Sequence, residues 1–299
     1  MIDLSSCLSE SALQISDRTS CSRNSNISCI SPNSVPSTQN TVTCLYRAIL
    51  STQEQILITV TWSKNSLFQG LNITIGEDPS VSIKVNTNSR LFRKLKGSKS
   101  LEFNGCEVEV SWDFSSARYR SMNEPEPVDG YYIIITFDSG VGMFIGDKAR
   151  ETLQKQAKSD PREAKFSLLT RREHFSGNTH YQTKAKFCET GAAHDILIRR
   201  GGENERMKNS ELSVSIDKKM VIRVKSLQWN FRGNQTIFLD GLLVDLMWNV
   251  DDWFRNPDSG HGVFMFRTRS GRDSGLWMAQ KDDKDGFSLI IFAAACKNM

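Results

Sequence analysis

The sequence predicts an all-β fold, an antiparallel sandwich or a large barrel made from two duplicated strand units, with one short surface helix. Two observations predict it. From Thr43 onward, short runs of alternating apolar and polar residues are separated by Gly, Asn, Asp and Ser, which is typical of antiparallel strands joined by tight turns. The same order of strands and turns then recurs in the second half of the chain.

The segment before these strands has a different composition. Residues 1–40 are rich in Ser, Asn, Thr and Pro and poor in aromatic residues, so they cannot bury enough apolar surface to offset chain entropy. We expect this segment to be disordered and place the first β unit at residues 41–146. Within that unit, every second residue of Cys106–Trp112 is apolar, so one face of this strand is buried and the other is wet.

The strands of the first unit have counterparts in a second β unit at residues 162–299. Leu71–Ile75 corresponds to Leu212–Ile216, and Val108–Trp112 corresponds to Val244–Trp248. Alternation alone would recur in any all-β chain, so it is weak evidence for duplication unless the turns between these strands recur as well.

The turns recur with the same spacing. Leu95–Gly97 corresponds to Phe231–Gly233, and Asn104-Gly105 corresponds to Asp240-Gly241. Asn-Gly and Asp-Gly favour type I′ hairpins, in which both central residues need positive φ. We infer that a six-strand unit was duplicated, and we expect a pseudo-twofold axis to relate the copies, which pack as one integrated domain.

Residues 147–161 are predicted to link the two units through one exposed helix. Helix-forming residues follow Asp147, a candidate N-cap, and Glu151 and Lys155 have the i,i+4 spacing of a stabilising ion pair. Only three apolar side chains are available for burial, Ala149, Leu153 and Ala157. The helix should therefore lie on the surface.

Composition and charge argue against several classes of function. The chain has 38 Lys and Arg against 34 Asp and Glu, a net charge of +4, which is too small an excess to indicate a nucleic-acid partner. Its seven cysteines are odd in number and include no C-x-x-C pair, so we interpret them as reduced thiols. We expect no cofactor.

The sequence contains no recognisable membrane-spanning or secretory signal. No apolar run reaches the roughly 18 to 20 residues of a membrane-spanning helix. The N-terminal segment lacks the basic and apolar regions of a secretory signal, although its Ser-rich, acid-poor composition leaves a plastid transit peptide as an alternative. We expect a cytoplasmic protein, with nuclear or membrane-peripheral location as further alternatives.

The titratable residues form no recognisable catalytic motif. Of four histidines, His174 and His180 flank Ser176, where a metal pair or a serine nucleophile can be imagined, but polar residues of a hairpin explain them as well. Walker, dinucleotide-binding, zinc-protease, kinase and nucleophile-elbow motifs are missing. We therefore expect no enzymatic activity and assign no catalytic residue.

Four aspartates in one stretch raise the question of a calcium site, because calcium prefers several hard oxygen ligands. Their positions allow simpler roles: one begins a hairpin turn, one faces solvent on a strand, and two precede an aromatic loop. We favour these roles and assign no metal ligand. The four residues are Asp240, Asp245, Asp251 and Asp252.

Basic residues recur beside the same turns in both units, accompanied by aromatic residues. Surfaces of this kind bind anionic lipid head groups or phosphate-bearing partners. A solvated outer face is the alternative explanation. The candidate binding surface consists of Lys94, Lys96, Arg223, Lys225, Trp229, Arg232, Trp253 and Phe254.

Six segments spread along the chain form a recognisable set of motifs: Cys29–Asn33, Ile56–Trp62, Leu227–Phe238, Asp240–Asp245, Asp252–Phe254 and Val263–Gly271. They resemble the motifs of a plant protein family, the domain of unknown function eight-six-eight (DUF868). The resemblance covers essentially the whole chain and implies a plant source, but it implies no activity, substrate or functional residue.

These observations favour a non-enzymatic intracellular binding or scaffold protein that acts through a β surface with basic and aromatic residues. The expected partner is a protein or an anionic lipid surface. Two alternatives stay open: a membrane-surface or phospholipid-binding β module, and a barrel that binds a small apolar ligand, because barrels of enough strands enclose a cavity.

Overall fold

The computed structural model describes residues 37–294 apart from positions 51, 66–67, 88–94, 122–123, 139, 157–163, 178–179, 189, 202–209, 257–258 and 270–285. Most of the segment predicted to be disordered lies outside these residues. The described elements are β1 (Thr38–Ile49), β2 (Gln55–Lys64), β3 (Gln69–Ile75), β4 (Ser82–Asn86), β5 (Lys96–Phe103), β6 (Cys106–Asp113), β7 (Tyr132–Phe137), β8 (Gly140–Ile145), α1 (Ala149–Gln156), β9 (Lys165–Ser176), β10 (His180–Lys186), β11 (Ala193–Gly201), β12 (Glu211–Ile216), β13 (Lys219–Val224), β14 (Arg232–Leu239), β15 (Leu242–Asn249), α2 (Asp251–Arg255), β16 (His261–Thr268) and β17 (Ser288–Ala294).

The strands form three sheets. One has nine strands in the order β14-β15-β16-β17-β9-β1-β2-β3-β4, and two have four, β5-β6-β7-β8 and β10-β11-β12-β13. The pairings are antiparallel except that of β9 with β17, which is parallel. The predicted antiparallel all-β fold is confirmed. Among the described strands no sheet closes on itself, so the barrel alternative is wrong and the sandwich is correct.

Both four-stranded sheets pack on the same face of the nine-stranded sheet. Cross-strand pairing places Cys44 of β1 beside Arg171 of β9, and Arg171 beside Leu289 of β17. Cys44 belongs to the core under β5–β8, whereas Leu289 belongs to the core under β10–β13. Because paired residues share a face of the sheet, the molecule has two sandwich cores side by side on one large sheet.

Aromatic side chains fill both cores. In the first core, the Trp62 ring meets Phe114 and Tyr131 edge to face, with centroids 5.6 Å and 5.8 Å away. In the second core, Trp253 stacks on Tyr181 at 6.2 Å, and its indole N–H donates to the carbonyl of Ala293 at 2.9 Å. This hydrogen bond satisfies the indole N–H of the fully buried Trp253.

The two halves contain more strands than the repeat predicted. Among the described residues, each half has eight strands, β1–β8 and β10–β17, rather than six, and β9 joins the halves. The extra strands differ in sequence between the halves, as β8 (GVGMFI) does from β17 (SLIIFAA). The repeat could therefore be recognised only in strands whose sequences are similar in both halves.

The nine-stranded sheet contains strands from both halves that are not equivalent in the repeat. By sequence, β1–β4 correspond to β10–β13, and β5–β8 correspond to β14–β17. The large sheet joins β1–β4 to β14–β17 because β9 pairs with β1 on one edge and with β17 on the other. The expected pseudo-twofold axis stays a prediction, and it would lie between the two layers, where it exchanges the large sheet with the two small ones.

The duplicated hairpins are confirmed in their backbone geometry. Asn104 and Gly105 have φ values of 52° and 77°, and Asp240 and Gly241 have 51° and 80°. These four residues adopt the positive φ that a type I′ turn requires at both central positions. The turn sequences therefore set the register of β5 with β6 and of β14 with β15.

A glycine faces a tryptophan across each of these hairpins. Gly97 lies opposite Trp112, and Gly233 lies opposite Trp248. A Cβ atom on Gly97 would lie 3.1 Å from the Trp112 ring, and one on Gly233 would lie 2.2 Å from the Trp248 ring. The glycines thus make room for indoles that lie across the neighbouring strand, which explains why the two residue types recur together.

The linking helix lies where the sequence predicts it. Ala149 and Leu153 of α1 are buried against Tyr132 and Ile134 on the outer side of the β5–β8 sheet. The expected Glu151–Lys155 ion pair is present, with 2.6 Å between Oε1 and Nζ. The helix α1 therefore lies over β7 and β8 on this side of the small sheet.

Three details differ from expectation. Asp147 does not cap α1: its carboxylate accepts hydrogen bonds from the N–H groups of Gly130 and Tyr131. Thr38, assigned to the disordered segment, begins β1 because it pairs with Ser176. The helix α2 forms where a loop was expected.

Among the described residues, no helix has the length and apolar character needed to cross a membrane.

Candidate functional site

The residues of the predicted basic and aromatic surface lie on different sheets. Lys94 is outside the described residues. Lys96 begins β5, Arg223 is on β13, and Arg232 begins β14, so these three belong to three different sheets.

The basic side chains among them already have acidic neighbours. Arg223 makes a bidentate pair with Glu211, with N to O distances of 2.7 Å and 3.1 Å. Lys96 lies 3.8 Å from a carboxylate oxygen of Asp113. Such exposed pairs add little stability, but they lower the net charge that these positions present to a partner.

The aromatic members have different environments. Trp253 is 0% exposed, which corrects its assignment to a binding surface: α2 turns the indole into the second core. Phe254 is half-buried and packs against the same core. Trp229 is 79% exposed in the loop between β13 and β14, close in sequence to the exposed Lys225. Among the described residues of the predicted surface, this loop is where an exposed aromatic ring and exposed basic side chains come close together in the sequence.

The four aspartates that suggested calcium have separate partners. The bidentate pair of Asp245 with Arg269 has both N to O distances at 2.8 Å, and Asp251 lies 2.9 Å from Arg255. Asp252 accepts the backbone N–H of His261 at 2.8 Å. Among the described residues, no group of three or more metal-ligating side chains comes together.

His174 and Ser176 are on β9, whereas His180 begins β10. Ser176 accepts a hydrogen bond from Asn40, and His174 stacks on Phe292 with centroids 4.5 Å apart. Packing takes part of the His174 ring out of water and lowers its pKa, as do the positive charges of neighbouring groups. The imagined serine nucleophile is therefore engaged with an amide.

A histidine that the sequence analysis did not select lies between two carboxylates. His194 Nδ1 is 2.6 Å from Asp217, and Nε2 is 2.8 Å from Asp240. Burial opposes the positive charge on the ring, but these hydrogen bonds outweigh it and raise the pKa of His194. The His194 ring thus ties β11 to the β12–β13 and β14–β15 turns. Its partners are too distant in sequence to suggest this cluster.

A second polar cluster lies where the two cores meet. The Arg171 guanidinium pairs with Glu173, which is 0% exposed, and with Glu126 at 2.7 Å. Burial disfavours the charge of Arg171, but both carboxylates offset this and raise its pKa. The hydroxyl of Thr183 on β10 donates to Glu173 at 2.8 Å. Burial also raises the pKa of the neighbouring Cys44 thiol to about 12.

A further candidate surface is the side of the nine-stranded sheet that faces away from both small sheets. We call it the outer face. Residues that pair across successive strands share this side. One row crosses the sheet from β14 to β4 through Asn234, Met247, Met265, Ile290, Arg172, Thr43, Thr61, Asn72 and Lys84.

The outer face is apolar on the β14–β17 side and rich in threonine on the β1–β4 side. Phe238 is 74% exposed, and the remaining apolar residues of this side are half-buried. By contrast, Ile237 and Leu239 point the other way and pack into the second core. The apolar residues of the outer face are Phe238, Leu243, Met247, Val263, Met265, Ile290 and Phe292.

The charges on the outer face are mostly positive. Arg172 and Arg267 are exposed beside the apolar residues, and Arg232 lies at the same face on the edge strand. The one acidic residue at an outward position of β14–β17 is Asp245, which is held by Arg269.

The chain matches the model of one protein family. The model of a family described as plant protein of unknown function (DUF868) matches residues 37–295. The chain belongs to this family. No curated protein and no solved structure matches it.

The DUF868 match confirms the predicted resemblance and delimits it. It covers the three sheets, and hence the outer face, the His194 cluster and the Arg171 cluster. The Cys29–Asn33 motif lies before the matched residues. The family description states no activity. The function of this DUF868 protein must therefore be inferred from its surfaces.

Proposed function

We propose that this protein is a non-catalytic binding protein that docks an acidic partner protein on its outer face. The observation that carries the proposal is the group of seven apolar side chains on β14–β17, bordered by Arg172, Arg232 and Arg267. Large apolar groups on a surface mark interaction sites more often than scattered single residues do.

The contrast between sheet faces supports this choice. The outer side of β5–β8 has apolar residues, and α1 covers them. The outer face presents apolar residues over four neighbouring strands without a helix of the described residues upon it. A partner chain would remove this area from water as α1 does on the small sheet, at roughly 25 cal/mol per Å².

A protein suits this face better than a lipid bilayer does. Apart from Phe238, its apolar side chains are half-buried within the sheet and do not project far enough to enter a hydrocarbon layer. Acidic side chains of a protein would reach Arg172 and Arg267 while its apolar side chains cover Met265 and Ile290.

The polar clusters support a non-catalytic role. Both ring nitrogens of His194 are bonded to carboxylates, and Arg171 is bonded to Glu126 and Glu173. A general base or nucleophile needs a lone pair that a substrate can reach. In these clusters the chain's own groups already use the bonding positions of the histidine and the arginine.

The test is site-specific crosslinking in plant tissue extract. A photo-crosslinking amino acid at Met265 should form a crosslink to an acidic segment of one protein. That protein is then identified and purified, so that its affinity can be measured. Arg172→Glu with Arg267→Glu should weaken its measured affinity at least about tenfold, because like charges would face each other.

The matched control reverses two charges elsewhere. Lys184→Glu with Lys186→Glu changes exposed residues of β10, on a different sheet, by the same amount. This variant should bind like the wild type. Equal affinity of the outer-face variant and the wild type would refute the proposal.

A second function, binding to anionic membranes, is favoured by the loop between β13 and β14. Trp229 is 79% exposed there, with Lys225 before it and Arg232 after it. Tryptophan prefers the bilayer interface and basic residues attract anionic head groups. Phosphatidylserine vesicles should then sediment the wild type at low salt but not Trp229→Ser with Lys225→Glu; equal sedimentation of both would exclude this mode.

A further inference from the structure

β14 and its counterpart in the first half, β5, are both edge strands, but they differ in the residues that prevent another strand from pairing with them. β14 pairs only with β15 among the described strands, and its counterpart β5 pairs only with β6. Each therefore turns one row of backbone N–H and C=O groups away from its sheet. Such edges accept further strands unless charges, prolines or bulges prevent it.

The β5 edge carries this protection. Lys99 occupies a position that faces the sandwich interior on an edge strand, and Glu102 occupies an outward position. A charged residue pointing inward on an edge strand disfavours addition of another strand, because pairing would bury it.

The β14 edge has lost both charges. Gln235 stands at the position of Lys99 and Phe238 at the position of Glu102. The strand is uncharged from Gly233 to Leu239 and contains no proline. With Phe238 exposed by 74%, β14 has the composition of a strand that pairs with another.

We propose that a second copy of this chain adds its own β14 antiparallel to β14, which makes one continuous sheet of eighteen strands, nine from each copy. The lack of charge along Gly233–Leu239 favours an uncharged strand such as β14 over an acidic segment. The occupant is therefore the chain itself.

The sequence of β14 is self-complementary in one register. If Thr236 lies opposite Thr236 of the second copy, Phe238 lies opposite Asn234 of that copy on both sides of the twofold axis. In the same register Gly233 lies opposite Leu239, so the uncharged stretch Gly233–Leu239 pairs with itself over its whole length. Cross-strand threonine pairs stabilise antiparallel pairing. No charged residues face each other within this stretch.

The arrangement also joins the outer faces. The twofold axis between two antiparallel strands is perpendicular to the sheet, so the same face of both copies points the same way. Phe238 of each copy then lies at the centre of a doubled apolar surface. The inference does not depend on the proposed partner, because it is tested on the purified protein alone.

The first experiment measures the mass of the purified protein by light scattering over a range of concentrations. The wild type should reach twice the mass of one chain. Gln235→Lys with Phe238→Glu should return it to the mass of one chain, because these residues restore the charges of β5. The matched control, Lys99→Gln with Glu102→Phe, alters β5 and should leave the β14 dimer able to form.

A second experiment tests the register without depending on those variants. Thr236→Cys should form an intermolecular disulfide under mild oxidation, since opposite residues in this register lie within disulfide reach. The matched control is Ser100→Cys at the equivalent position of β5, which should crosslink at the wild-type level.

Three results would overturn the inference. One is a wild type that keeps the mass of a single chain at every concentration. Another is a dimer that persists in a folded Gln235→Lys and Phe238→Glu variant, which would place the contact elsewhere. The third is crosslinking of Thr236→Cys no faster than that of Ser100→Cys.

Discussion

Arg171 shows how one residue can matter to both cores. Its guanidinium supplies the positive charge beside the fully buried carboxylate of Glu173. We expect Arg171→Met to destabilise the protein by about 3–5 kcal/mol, because the buried carboxylate loses its cation. Urea unfolding monitored by tryptophan fluorescence would measure the loss.

The double variant separates charge from packing. Arg171→Met with Glu173→Leu removes both charges, so it should be more stable than Arg171→Met alone. A double variant that is no more stable than the single one would show that lost packing of the arginine, rather than the unpaired carboxylate, causes the effect.

His194 makes stability depend on pH in a defined direction. Its pKa is raised in the folded protein, so its contribution is fully present below the unfolded pKa of about 6.5 and is lost as pH rises through the folded pKa. His194→Gln should therefore cost more at pH 6 than at pH 9. Urea unfolding of both proteins across this range would show the gap closing; a constant gap would contradict it.

At the scale of the element, the β14–β15 hairpin is more tightly packed against its tryptophan than the β5–β6 hairpin is. A Cβ on Gly233 would lie 2.2 Å from Trp248, against 3.1 Å for Gly97 and Trp112. We expect Gly233→Ala to destabilise by about 1–3 kcal/mol through overpacking, and Gly97→Ala to cost less. Thermal unfolding would rank them, and the reverse order would contradict the packing argument.

The hairpins were the most predictable elements. Asn104-Gly105 and Asp240-Gly241 set positive φ locally, and alternation on either side assigned a buried face to each flanking strand. Element ends were less predictable, as α2 shows: nothing in Asp251–Arg255 distinguishes one helical turn from a loop. Only the second core, which accepts Trp253, makes that turn favourable.

At the scale of the whole molecule, β9 makes the two halves interdependent. Phe166 packs against the first core, Phe175 belongs to the second, and Leu168 touches both. We therefore expect one cooperative thermal transition, with equal calorimetric and van't Hoff enthalpies. Phe175→Ala should move that single transition to lower temperature. Two separated transitions would show that the cores unfold independently.

The sequence by itself determined the all-β class, the duplicated hairpins, the linking helix and family membership, because alternation and turn chemistry act between near neighbours. Tertiary structure alone decided which strands share a sheet, why Trp253 is buried, and how His194 meets its two aspartates. The outer face shows why: Arg172, Met265 and Ile290 come together only through cross-strand pairing. Those pairings depend on how two cores fit on one sheet, which no local pattern encodes.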